Sequence, residues 1–111
     1  MESERVISAL SALAQEHRLA AFRFLVRRGP EGASAGIIAD TLALPASSLS
    51  FHLAQLERVG LIIRVRKSRS LIYSADFATM GALVGYLMEN CCGGSAVVAP
   101  VCRPELERKI S

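Results

Sequence analysis

A mainly α fold with a β-hairpin wing, the winged helix-turn-helix, is what this 111-residue chain predicts. Three observations carry that reading. Between Ser34 and Val59, a short helical pattern, a tight Ala43-Leu44-Pro45 connection and a longer helical pattern follow one another. Directly afterwards the apolar period shortens from about 3.6 residues to about 2 in LIIRVR and SLIYS, as expected of a hairpin. That hairpin gathers Arg64, Arg66, Lys67 and Arg69, so its charge is local.

The elements follow in order. Val6, Ile7, Leu10, Leu13 and Ala14 recur at helical spacing and predict a first helix near Ser3–Ala14. A second spans about Glu16–Arg28, with Leu19, Phe22, Leu25 and Val26 inward, and Gly29-Pro30 stops it. Ser34 is placed to cap a third, short helix through Leu42 that buries Ile37, Ile38 and Leu42. Pro45 suits the opening turn of a fourth helix over about Ala46–Val59, with Leu49, Leu53, Leu56 and Val59 as its inner stripe and Gly60 as its cap. In the hairpin, Arg64 and Arg66 alternate with Ile63 and Val65, giving one cationic and one apolar face. Asp76 is placed to cap a fifth helix over about Phe77–Asn90. Phe77, Met80, Leu83, Val84, Leu87 and Met88 cover more than one stripe of it, as on a helix buried from several sides, and a second copy of the chain is the expected cover. Leu106 and Ile110 point to a short terminal helix. The expected division is a DNA-binding and dimerisation domain over residues 1–92 and a tail over 93–111, with the homodimer formed through the first and last helices.

Composition narrows the class. One domain with a modest core fits this length. Hydrophobic residues reach 51%, high for a small basic protein, which again points to an apolar face hidden in an oligomer. The net charge of +3 and pI near 9.1 fit a nucleic-acid partner. The start MESERVISAL has acids before any apolar run, and FATMGALVGYLM falls short of the roughly 20 residues that span a bilayer. No membrane partner and a cytoplasmic location are therefore expected. There is no acid–base pair, phosphate loop or Ser/His/Asp arrangement, so an enzyme is not expected.

On the fourth helix Ser47, Ser50, Phe51, Ala54 and Gln55 are expected to point roughly opposite Leu49 and Leu53, and Ser47, Ser48, Ser50, Phe51 and Gln55 are the expected DNA contacts. Short hydroxyl and amide side chains near a recognition-helix N-terminus contact base edges and phosphates, and Phe51 suits a thymine methyl. His52 belongs to the same candidate interface but lies nearer the core stripe, where a hydrogen-bonded imidazole is expected. Arg64, Arg66, Lys67 and Arg69 are the expected phosphate contacts. Arg27 and Arg28 add to the positive field from outside it.

With EHRLAAFRFL, LALPASSLSFHLAQLERVGLI and RVRKSRSLIYS read together, the chain resembles the ArsR/SmtB family of metal-responsive repressors. The Ser-x-x-x-His-Leu-x-x-Leu-x-x-x-Gly-Leu spacing from Ser48 to Leu61 is specific to it, and the resemblance covers most of residues 15–75. It implies a homodimer of five helices and a wing that binds operator DNA and is relieved by an inducer. The founding arsenic repressors of that family carry cysteines on the third helix, but IIADTLALP has none. Its zinc sensors use His and carboxylates on the last helix, but FATMGALVGYLMEN offers only Glu89.

What remains is ENCCGGSAVVAPVCRP. Cys91, Cys92 and Cys102 are the chain's three cysteines, and they resemble those of family members that sense trivalent arsenic through a vicinal pair and a later thiol. As(III) takes three soft sulfur donors in a pyramid, and Sb(III) shares that chemistry. Arsenous acid condenses with three thiols, loses three waters and leaves a formally neutral product. Gly93-Gly94 and Pro100 suit the reversal that would bring Cys102 back. A Zn or Cd site remains open, although structural zinc usually takes four ligands and His17 and His52 belong to the DNA-binding body. A thiol–disulfide redox switch pairing Cys102 with either neighbour also remains open, as does simple packing of three small apolar side chains.

Overall fold

The structure is a computed structural model that describes residues 1–89. Its helices are α1 (Ser3–Leu13), α2 (Glu16–Arg28), α3 (Ala35–Leu42), α4 (Ala46–Arg58) and α5 (Phe77–Leu87). Its strands are β1 (Ala33–Ser34), β2 (Ile62–Lys67) and β3 (Ser70–Ala75), in an antiparallel sheet of order β1-β3-β2. This is the expected winged helix-turn-helix, with one strand added.

The predicted punctuation is in place. Gly29 takes φ 74° at the end of α2, and its N–H donates to the Leu25 and Val26 carbonyls. The Ser34 hydroxyl accepts from the Ile37 N–H at 3.3 Å, and the Asp76 carboxylate from the Thr79 N–H at 3.1 Å. At the end of α4, Gly60 sits at φ 84° and the Leu61 N–H closes back on the Leu56 carbonyl at 3.1 Å, the long bond of a Schellman cap. Pro45 is the residue before α4, which starts at Ala46 as expected, and its carbonyl accepts from the Leu49 N–H.

The core gathers between α2, α3, α4 and the base of the sheet. Leu25, Ile38, Leu49, Leu53, Leu56, Leu61 and Ile62 are fully buried there. Each such side chain is worth roughly 1.5–3 kcal/mol of transfer free energy. The α3–α4 turn bends through 113°, within the range of helix-turn-helix pairs, and holds Ala43 in the left-handed region at φ 56°.

Several expectations are corrected. Ile7, Leu10, Leu19 and Ile37 are exposed; the buried positions on their helices include Ala9, Ala12, Ala21 and Ala39. Small alanines let the helices approach closely, and the larger neighbours are turned out. The strand β1 carries no period of its own; it exists because Ala33 and Ser34 pair with Tyr73 and Ile72. The cationic face of the hairpin is continuous with the core side, since Arg64 and Arg66 share their face with buried Ile62, while Ile63 and Val65 are both exposed. The fifth helix ends at Leu87, short of Asn90. Cys91, Cys92, Cys102, the 93–111 tail and its terminal helix lie outside the described residues.

Candidate nucleic-acid interface

The fold presents α4 outward by burying Leu49, Leu53 and Leu56. The opposite face then carries Ser47, Ser48, Ser50 and Phe51, all exposed, with Gln55 half-buried beside them. Phe51 is 57% exposed, and its ring forms a T-shaped pair with the His52 ring at a centroid distance of 5.6 Å. It is an outward group rather than part of the helix packing.

His52 faces α2 instead. Its Nδ1 lies 3.3 Å from the Arg18 guanidinium, and its ring centroid lies 5.6 Å from that of His17. Arg18 is itself fixed, since its Nε donates to the Ala12 carbonyl at 2.7 Å. A guanidinium can only donate, so the His52 Nδ1 accepts and the neutral imidazole is the form that fits. Partial burial, then the Arg18 charge, then His17 hold the His52 pKa below the ordinary 6.5. His52 therefore braces the start of α2 against the recognition helix.

The wing stands beside α4. Arg66, Lys67 and Arg69 are exposed around a two-residue turn, where Ser68 takes φ 58°. Arg64 differs: its Nε lies 3.6 Å from the Glu57 carboxylate, so it ties the wing to the recognition helix. Arg28 is likewise engaged, donating to the Gly32 carbonyl at 3.0 Å with its guanidinium over the Phe24 ring. One residue was missed by the sequence reading. Arg58 follows Ser47, Phe51 and Ala54 at helical spacing on the same outward face. The i, i+4, i+7, i+11 series was the available signal, hidden because Arg58 lies in the last turn, far from the N-terminal residues that usually read bases. Its Nη2 donates to the Gln55 side chain at 2.9 Å.

Among the described residues no group of three His, Cys, Asp or Glu side chains could hold a metal ion. No single helix among them is long and apolar enough to cross a membrane.

A helix-turn-helix domain model matches residues 13–66, which run from the end of α1 into the wing. The HTH-type transcriptional regulator YgaV of Escherichia coli K12 is 30% identical over 90 residues, covering 81% of this chain and 89% of YgaV. The structure of HlyU from Vibrio cholerae N16961 superposes with a TM-score of 0.64 at 29% identity, covering 83% of this chain and 99% of HlyU. The chain belongs to the helix-turn-helix transcriptional regulators. An ArsR-like transcriptional regulator from Rhodococcus sp. RHA1 shares the fold, with a TM-score of 0.68 at 22% identity over 96% of this chain and 87% of the relative. A second structure of the Vibrio cholerae HlyU, that of the reduced protein, matches with a TM-score of 0.63.

Proposed function

We propose that this helix-turn-helix regulator is an ArsR-type repressor that binds operator DNA as a homodimer and releases it when As(III) or Sb(III) is captured by Cys91, Cys92 and Cys102. The observation that carries the inducer is the donor set. All three thiols of the chain follow α5 in sequence, in a segment without histidine, and three soft sulfurs are what a trivalent arsenic centre takes. The operator half is supported by the outward Ser47, Ser48, Ser50, Phe51 and Gln55 beside the exposed Arg66, Lys67 and Arg69.

The homodimer is supported by an apolar surface. Ile7 and Leu10 on α1 and Val84, Tyr86 and Leu87 on α5 are exposed on two helices that pack against each other. Such a surface is the expected mark of a protein–protein contact. In this reading α5 sets the spacing of two recognition helices, which must enter major grooves about 34–36 Å apart. Thiols that follow α5 can then re-angle the subunits on binding arsenic. A full switch from bound to free needs a differential of roughly 5.5 kcal/mol, within reach of several metal–thiolate bonds.

The test is operator release by arsenite under full reduction, with each cysteine changed to Ser in turn. Every variant keeps DNA binding and loses most of the arsenite response. A normal response in Cys102→Ser replaces the three-thiol site with a dithiol one. Light scattering shows the released protein still dimeric; monomers overturn the re-angling step and leave the sensor standing. A redox switch on the same body is the second reading, supported by the similarity to HlyU, for which a reduced form has been solved. It predicts release by oxidant and none by arsenite under reduction.

A further inference from the structure

An open groove of about 590 Å³ runs between α1 and the C-terminal half of α4. Three guanidiniums from three elements line it: Arg5 of α1, Arg18 at the start of α2 and Arg58 at the end of α4. Among the described residues the ion pairs are His17–Glu16 and Arg64–Glu57, so none of the three arginines is matched to a carboxylate. We propose that this groove is a binding site for a compact oxyanion, a carboxylate or phosphate group. The site is independent of the thiol reading.

The three arginines are held differently. Arg18 is anchored by the Ala12 carbonyl and His52 and contributes a fixed charge at the floor. Arg58 donates one N–H to Gln55, which leaves the other side of its guanidinium for a ligand. Arg5 reaches across to the α4 cap: a Cβ built at Gly60 would lie 3.3 Å from its Nη2, so this glycine leaves the guanidinium its room. The hydroxyls of Ser8 and Ser11 line the α1 wall and supply neutral donors. Guanidinium forks with hydroxyls between them suit the planar or tetrahedral oxygens of such an anion.

Two features oppose an anion here, and both narrow the ligand. The carbonyl end of α4 disfavours negative charge. The Gln55, Leu56 and Glu57 carbonyls, however, already accept from the Val59, Leu61 and Gly60 N–H groups, which lowers that opposition. Glu2 and Glu4 also line the groove, and they repel a long polyanion more than a small ligand seated among the arginines. This favours a free anion over a DNA phosphate as its source.

The position makes the site an input to DNA binding. One wall is α1, whose Ile7 lines the groove and is 63% exposed on the apolar surface shared with α5. The other wall ends the recognition helix, through Gln55 and Arg58. An anion bridging Arg5 and Arg58 couples the two helices.

The experiment titrates inorganic phosphate and, separately, citrate into the full chain at constant ionic strength, followed by amide NMR shifts and calorimetry. Wild type is compared with Arg5→Ala/Arg58→Ala, two exposed positions whose loss leaves circular dichroism unchanged. Saturable shifts at Ser8, Ser11 and Gly60 are expected, with affinity falling at least about tenfold in the double variant as charge-assisted bonds are lost. A second arm measures binding to a random-sequence duplex against salt. If neither free anion binds but the double variant lowers the log–log salt slope by about 0.9 per contact, the anionic group is a DNA phosphate. If neither arm responds, or the double variant matches wild type in both, the site does not exist. Should the double variant unfold, Arg58→Gln is read in the same two arms and decides between the same outcomes.

Discussion

Removing the wing's charge tests the DNA interface most directly, because the structure divides its four cations unequally. Arg64 is paired with Glu57 at 3.6 Å, whereas Arg66, Lys67 and Arg69 are exposed with no carboxylate partner among the described residues. Each phosphate contact releases counterions worth a slope of about 0.9 in log K against log[salt]. The triple variant Arg66→Ala/Lys67→Ala/Arg69→Ala therefore lowers the slope by about 2.7 per engaged protomer. Between 50 and 200 mM salt, wild type then loses about fortyfold more affinity than the variant does, for each such wing. Arg64→Ala alone lowers the slope by less than about 0.9, because Glu57 already neutralises part of that charge. All three substituted side chains are exposed, so unfolding free energy stays within about 0.5 kcal/mol of wild type. Fluorescence anisotropy of a labelled duplex across that salt range measures both slopes. An unchanged slope in the triple variant removes the wing from the interface; an equal drop for Arg64→Ala refutes the division of labour.

Three other outcomes follow from particular contacts. Phe51→Ala, at an exposed position, leaves stability within about 0.5 kcal/mol but reduces the preference for operator over random duplex by about 1 kcal/mol or more, read by competition binding. Gly32→Ala places a methyl 2.1 Å from the Tyr73 carbonyl oxygen at a φ of 63°, and loses about 2–5 kcal/mol in urea unfolding as β1 is pushed off β3. Gly29→Ala, with open space around it, loses distinctly less, and equal losses would show that backbone angle alone sets the cost. His52 is held neutral in the fold while the unfolded imidazole takes its proton near 6.5, so the unfolded state binds more protons in that window. The His52 contribution is complete above about pH 6.5 and declines as pH falls through that value towards the lower folded pKa. Urea midpoints from pH 7.5 down to 5 fall less steeply in His52→Gln, and parallel curves would deny His52 this role.

The amino-acid sequence determined by itself the parts of this protein that local physics controls. Ser34 and Asp76 cap helices because a short side-chain oxygen reaches the N–H three residues on, whatever surrounds it. Gly29 and Gly60 end helices because positive φ favours glycine. The period change after Gly60 and the leucine stripe of α4 located the hairpin and the outward face, and with them the candidate DNA-facing residues. Tertiary structure decided what depends on partners distant in the chain. Ala9, Ala12, Ala21 and Ala39 were chosen for the core over Ile7, Leu10, Leu19 and Ile37 because close helix approach rewards small residues, which a hydrophobicity pattern ranks low. The strand β1 appeared because β3 offered an edge to Ala33 and Ser34. Arg64 met Glu57, and Arg18 met His52 across 34 residues of sequence, by contacts that no spacing along the chain encodes. The arginine groove has the same origin: Arg5, Arg18 and Arg58 converge only when α1, α2 and α4 pack together, because like charges have no local reason to gather.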